Sequence, residues 1–401
     1  MNLKVVTAAA SAAVLAALCL VQPAYADDAP AGAAADAKPP PALKFSLNET
    51  VDFLRNTHGG VVVGNGVDNK IAISATLDGG AFGHDGFKAH VQVFNANEGT
   101  FSSDKAGDIQ IVSNIEAPRS TRLFAAWAEQ AFGEKAVLRA GLMDVNVDFD
   151  KIDPAGLFLN SSHGIGIDIA QIGPSIYPVS ALGVRGIWSP TDQLTLKAAM
   201  FDGVSGDPSR PHDFVIVGLH ADDGALLLSE ADLKLGKEAQ LTVGVWGHTA
   251  SFDSIDPLFG PQHGQIGVYG SLQGPVPLGP DWTGWVRAGI ADSRIDEVSS
   301  YLGAGLVKAA PLPGRKDDQA GIAIARAGIG GPARRVMNLP NAETTLEATY
   351  SFVATSFLSF QPDLQYVIHP ASAPNLKNAV VIGLRVALAL STPAGTSDDE
   401  D

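Results

Sequence analysis

The chain is expected to fold as an all-β protein: a closed antiparallel transmembrane β-barrel of about 16 strands, short turns at one rim and long loops at the other. Three observations predict it. Strand periodicity recurs along the chain in short segments. The gaps between them alternate: 133–135, 189–193 and 236–238 are tight, whereas 147–180, 202–224 and 251–264 are long. Single cations also interrupt otherwise apolar strands, a pattern that a wet interior accommodates and a lipid-facing surface does not.

The elements follow in order. Lys4 precedes an apolar run over 5–21, and Ala24-Tyr25-Ala26 is a small-x-small site before Asp27, so residues 1–26 read as a secretory signal peptide cut near Ala26. Cys19, the only cysteine, lies inside that signal, which leaves the mature chain without a disulfide, an iron–sulfur cluster or a thiolate–zinc site. Residues 27–45 are Ala/Pro-rich, with Pro39, Pro40 and Pro41 consecutive, and read as an extended periplasmic lead-in. The barrel is assigned to 46–390 and an acidic tail to 391–401. Strands are expected at 59–65, 69–78, 87–96, 121–132, 136–146, 181–188, 194–202 and 225–235. The second half continues with 239–250, 265–274, 283–291, 301–311, 319–327, 343–353, 358–368 and 379–390.

Loss of the signal removes Lys4 and no acid, taking the formal charge from −16 to −17 and arguing against nucleic acid or an anionic surface as a partner. The 46% hydrophobic content is ordinary, as it is when an apolar belt is hidden by alternation. The segment 359–368 displays this alternation: Ser359, Gln361, Asp363 and Gln365 share one face, and Phe360, Pro362, Leu364, Tyr366 and Ile368 the other. Period 2 likewise separates Arg139, Lys197, Arg287 and Arg385 from their apolar neighbours. A cation on the lipid face costs about 2–4 kcal/mol at mid-membrane, so these four are expected to face a wet lumen. Trp127, Trp188, Trp246, Trp282, Trp285, Tyr269 and Tyr366 are spread as interfacial girdles would require.

Catalytic constellations are missing from the sequence. The nine histidines form no HExxH pair, and neither a GxSxG elbow nor a Walker A loop occurs, so no enzyme activity and no cofactor or metal is expected. The run 144–150 has calcium-loop spacing, but Phe149 stands at the turn glycine and Ala155 at the bidentate acid. Asp144 and Asp148 share parity with the lipid-facing Leu138 and Leu142. Either the strand ends near Leu142 or a bulge near Met143 resets it, and both arrangements put the acids at the mouth or on an inward-folded loop.

Four stretches together resemble one family: 141–149, Phe158-Leu159-Asn160-Ser161-Ser162, Tyr177-Pro178 with Ala181-Leu182-Gly183-Val184-Arg185, and above all 358–370 followed by 378–385. They are similar to carbohydrate-selective porins of the OprB type. The resemblance implies a sixteen-stranded barrel in the outer membrane of a Gram-negative bacterium, passing small neutral sugars such as glucose. It carries Asp144, Asp148, Asn160, Arg185, Gln361, Asp363, Gln365 and Arg385 over as pore-lining positions, beside Arg139, Lys197 and Arg287 from periodicity. The partners it implies are sugars, outer-membrane lipid and the barrel-assembly machinery; a homo-oligomer is left open. The last strand ends near Leu390 without the terminal aromatic that this machinery reads. The alternatives are a general or aromatic-compound porin of the same fold, and a secreted all-β binding protein or enzyme.

Overall fold

The computed structural model describes residues 42–392 apart from 208, 209, 211, 221 and 237; the signal, most of the lead-in and most of the acidic tail lie outside the described residues. The first quarter comprises β1 (Leu43–Gly60), β2 (Gly64–Asp78), β3 (Phe87–Ala96) and β4 (Ser120–Phe132), followed by β5 (Ala136–Met143), β6 (Ala181–Trp188), β7 (Leu194–Asp202) and β8 (Ala225–Leu235). Then come β9 (Ala239–Phe252), β10 (Gln262–Pro275), β11 (Trp282–Ile290) and β12 (Val298–Ala309). Last are β13 (Gln319–Ile329), β14 (Ala342–Thr355), β15 (Leu358–Ile368) and β16 (Lys377–Ser391). Every strand pairs antiparallel with its sequence neighbours, and β1 closes the ring on β16 from Ser46↔Ser391 to Gly60↔Lys377.

Alternation along each strand divides the side chains between two environments. On β13, Ile322 and Ile324 are 57% and 41% exposed while Ala323, Ala325 and Ala327 between and beyond them are buried. Val243, Ile266 and Leu302 are also more than half exposed. A belt of exposed branched aliphatics around a closed sheet has lipid as its solvent.

Several expectations are corrected. The first strand is Leu43–Gly60, not 59–65, and residues 61–63 form the turn after it. Its apolar face (Phe45, Leu47, Val51, Phe53) is interrupted by Glu49 and Arg55, which disguised it as polar, while Gly59 and Gly60 take positive φ and end it. β1 thus begins at Leu43, inside the 27–45 assigned to the lead-in, and Ser391, assigned to the tail, belongs to β16. The fifth strand ends at Met143 without a bulge, which resolves the parity conflict at Asp144. The loop alternation has an exception: the three-residue turn 61–63 lies on the long-loop rim.

The girdle is corrected too. Trp246, Trp285 and Tyr269 are buried at 1–3%, and Trp127 points inward under Arg139, so four of the seven named rings sit inside. The outer belt at the short-turn rim is built largely of phenyls, namely Phe45, Phe132, Phe352 and Phe357 beside Trp188. The inward rings pack over glycine: Trp246 lies opposite Gly267 and Tyr269 opposite Gly244, where a Cβ would collide with each ring.

Two long loops fold inside the ring. Residues 144–180 lay Val145, Phe149, Ile165 and Ile169 on Phe201, Leu226, Leu228 and Trp246 of β7 to β9. Residues 97–119 lay Phe101 and Val112 on Leu54 and Val381 of β1 and β16. Two inward acids of β14 anchor them. Glu343 accepts from the backbone N–H of Ile109 and Gln110 and from that of Ala371 in a third loop, and Glu347 accepts from Leu159 and Asn160. Charge-assisted bonds from backbone donors satisfy a buried carboxylate and fix the loops that donate them.

Candidate functional site

The predicted site residues fall into three groups inside the barrel, with Asp144 apart. The first group grows from register. Glu129 of β4 lies opposite Arg139 of β5, which lies opposite Arg185 of β6. Two arginines side by side repel. Asp148 descends from the inward loop to offset them: Asp148 Oδ2 accepts from Arg185 Nε at 2.9 Å and Arg139 at 3.3 Å, while Glu129 Oε2 stands 2.7 Å and 3.2 Å from the two guanidinia. Arg139 also lies 3.9 Å over the Trp127 ring, whose plane stacks on His90 at 5.1 Å.

The network continues around the wall. Lys197 Nζ donates to the Asp148 carbonyl at 2.6 Å and to Glu230 at 2.7 Å, and lies 2.7 Å from Asp232. Glu230 in turn accepts from the Asp150 N–H at 2.7 Å and the Tyr269 hydroxyl at 2.6 Å. Asp150 receives the fork of Arg287 at 2.9 and 3.0 Å, and Asp168 takes another nitrogen of the same guanidinium. Arg287 is 2% exposed, with the Tyr269 and Tyr301 rings at 5.3 and 5.0 Å. The acids that had calcium-loop spacing thus diverge, each to a different partner.

The second group is rich in amides and holds no cation. Asn160 Nδ2 donates to Gln365 Oε1 at 3.2 Å, and Gln365 Nε2 donates to Asp363 at 3.0 Å and the Val112 carbonyl at 2.9 Å. Gln361 donates to the Leu157 carbonyl at 2.6 Å and to Thr349 at 3.0 Å. Gln361, Asp363 and Gln365 of β15 all point inward, and together they stitch both loops to the wall.

Arg385 forms the third group. Its guanidinium grips Asp52 of β1 with two bonds of 2.7 Å, across the closing pair of strands, and donates a further bond of 2.8 Å to Asn114. Asp144 stands outside all three. It caps the Asn146 N–H at 2.7 Å, in the field of Lys70, which itself lies 3.9 Å over the Tyr177 ring. Burial, only partly offset by the Asn146 N–H and Lys70, pushes the Asp144 carboxyl up to about 6.

Sequence reasoning named the cations and missed most of their counter-ions: Asp52, Glu129, Asp150, Asp168, Glu230 and Asp232. Glu129 was legible, because it and Arg139 are equidistant from the tight turn at 133–135. Glu230 and Asp52 needed registers set across a long loop and across the ring closure. Towards the short-turn rim, the inward wall of β1 to β3 is polar and half-exposed, with Ser46 bonded to Ser74 at 2.7 Å, Thr76 to His90 at 2.8 Å, and Gln92 beyond.

Comparison with known proteins gives the same architecture a family. A profile described as "Carbohydrate-selective porin, OprB family" matches residues 68–390. The high-pH structure of Pseudomonas putida OprB superimposes with a TM-score of 0.77 at 19% identity, covering 87% of this chain and 94% of that one. The low-pH structure gives 0.55 at 15%, over 87% and 93%. Salmonella typhi OmpF in complex with daunomycin gives 0.56 at 7%, over 87% and 97%. A search of curated protein sequences finds no match. The match over most of the barrel identifies the chain as a member of the OprB family of carbohydrate-selective porins.

Proposed function

We propose that this outer-membrane porin carries small neutral sugars such as glucose by passive diffusion. In this reading Arg139, Asp148 and Lys197 face the path on one wall, where the sealed Arg185 and Arg287 hold them and the inward loop in place, and Arg385 faces it on the other, backed by the buried Asn160, Gln361, Asp363 and Gln365. Asp144 stands at the approach. The chain enters the membrane after loss of residues 1–26, with its long-loop rim outside.

The observation that carries the reading is that each of these five arginine and lysine positions on the barrel wall (139, 185, 197, 287, 385) is neutralised by carboxylates within 3.3 Å. A wall on which every one of these cations is paired offers oriented donors and acceptors and no free cation to hold an anion, which suits hydroxyls better than anions. The serine, threonine and glutamine face of β1 to β3 adds neutral partners of the same kind. Weak, multiple contacts let a solute enter and leave, and no bond is made or broken.

Flux into liposomes tests it. Glucose uptake is expected to saturate and to exceed that of an amino acid of similar size, and Arg139→Ala should change both conductance and the block of ion current by glucose. Equal rates for glucose and the amino acid would refute the sugar preference.

A further inference from the structure

We propose that the outer face of β12 to β15 holds one phosphate-bearing lipid, its phosphate on Arg326 and an acyl chain in the groove beside it. On this face Leu306, Ile322, Ile324 and Leu346 stand around the small side chains of Ala304 and Ala348, within an open apolar depression of about 870 Å³ that continues past Val286 to Leu272 on one side and to Leu364 on the other. A second depression of about 490 Å³ extends it toward the short-turn rim.

Arg326 stands at the opposite end, toward the long-loop rim. It shares outward parity with Ile322 and Ile324, is exposed, and lies in register between Leu302 and Thr344. Parity turns three cations outward on the described strands. Arg55 donates to Asn65 at 2.7 Å, and Lys308 to the Pro280 carbonyl and Asp281 at 2.7 and 3.2 Å. Among the described residues Arg326 has no hydrogen bond or ion pair. Its planar fork matches a phosphate, and apolar neighbours strengthen such a pair. From Arg326 to Ala320 is six residues, about 20 Å of strand, which accommodates one leaflet's hydrocarbon of about 15 Å.

The acidic balance of the whole chain does not oppose this, because the acids concentrate in the loops and lumen, and the two acids that parity turns outward on the described strands, Glu49 on β1 and Asp202 at the end of β7, are not on the strands of this face. A second copy docked on the same groove would bury Arg326 against a face without a carboxylate, which is unfavourable. The inference does not depend on what crosses the lumen.

Native mass spectrometry of the full barrel tests it, with the protein released from detergent micelles doped with phosphatidylglycerol or with phosphatidylcholine of the same chains. The expected result is one retained phosphatidylglycerol, favoured at least fivefold. Arg326→Gln should abolish the preference and leave single-channel conductance unchanged. Ile322→Trp, which fills the groove and keeps the cation, should lower retention of the adduct. Equal retention of both lipids by the wild type, or a preference that survives Arg326→Gln, would overturn the proposal. High-yield disulfide dimers of Ile322→Cys in membranes would assign the face to a second copy and overturn it as well.

Discussion

Arg287 shows what a buried charge demands. It is sealed between Asp150 and Asp168, both on the inward loop, so its pairing is also the attachment of that loop to β11. Removing one member of such a set strands the others, at about 3–5 kcal/mol. Arg287→Ala is therefore expected to release residues 144–180, seen as faster proteolysis there and a larger single-channel conductance. Replacing the whole set, Arg287→Met with Asp150→Asn and Asp168→Asn, should recover most of the attachment; an equally loose loop in that variant would contradict the assignment.

Asp144 makes a second residue-scale prediction. Its folded value near 6 lies above the usual 3.8, so the folded loop holds the proton more tightly than the unfolded one. The penalty of ionising it is complete above about 6 and is relieved as the pH falls toward 3.8. Acidification from pH 7 to 5 should protect residues 144–180 from protease, and Asp144→Asn should be protected already at pH 7, with a flatter profile. Identical profiles for wild type and variant would assign the response to other groups, of which Asp150, also pushed up by burial, is the nearest in the loop.

At the scale of elements, legibility followed locality. Hairpins joined by three to five residues, such as β4–β5 and β6–β7, were placed to within a few residues because alternation and turn lie in one short window. The closing strand β1 was missed because its outward row contains Glu49 and Arg55, and because its partner is β16, at the other end of the chain. The inward apolar patch was partly legible: Ala225-Leu226-Leu227-Leu228 is apolar on both faces, and the inner pair, Leu226 and Leu228, receives the loop. The seam itself is testable. Arg385→Ala leaves Asp52, fully buried, with the Ser113 hydroxyl at 2.6 Å, and should lower the heat-modification midpoint on electrophoresis, by up to about 3–5 kcal/mol of seam stability. Asp52→Asn with Arg385→Met should restore much of it, and an unmoved midpoint in the single variant would remove this pair from barrel closure.

For the whole molecule, the antiparallel order and the inward parity of Arg139, Lys197, Arg287 and Arg385 were readable from period 2 and loop spacing, because a lipid solvent enforces alternation more strictly than a protein core does, and the total of sixteen came out right although 59–65 stood in for β1. The girdle was misread since inward space beside glycine is large enough for a tryptophan, and no local signal tells such a ring from an outward one. The two carboxylates of β14 carry a further consequence. Glu343 and Glu347 sit four residues apart on one face and clasp three separate loops. A slip of that strand by a single position would turn both acids toward hydrocarbon and leave all three loops without their anchors at once. Correct alignment of one staple thus governs whether the interior is dressed at all, so a misaligned barrel would emerge as an unfurnished tube, detectably leakier than the native one.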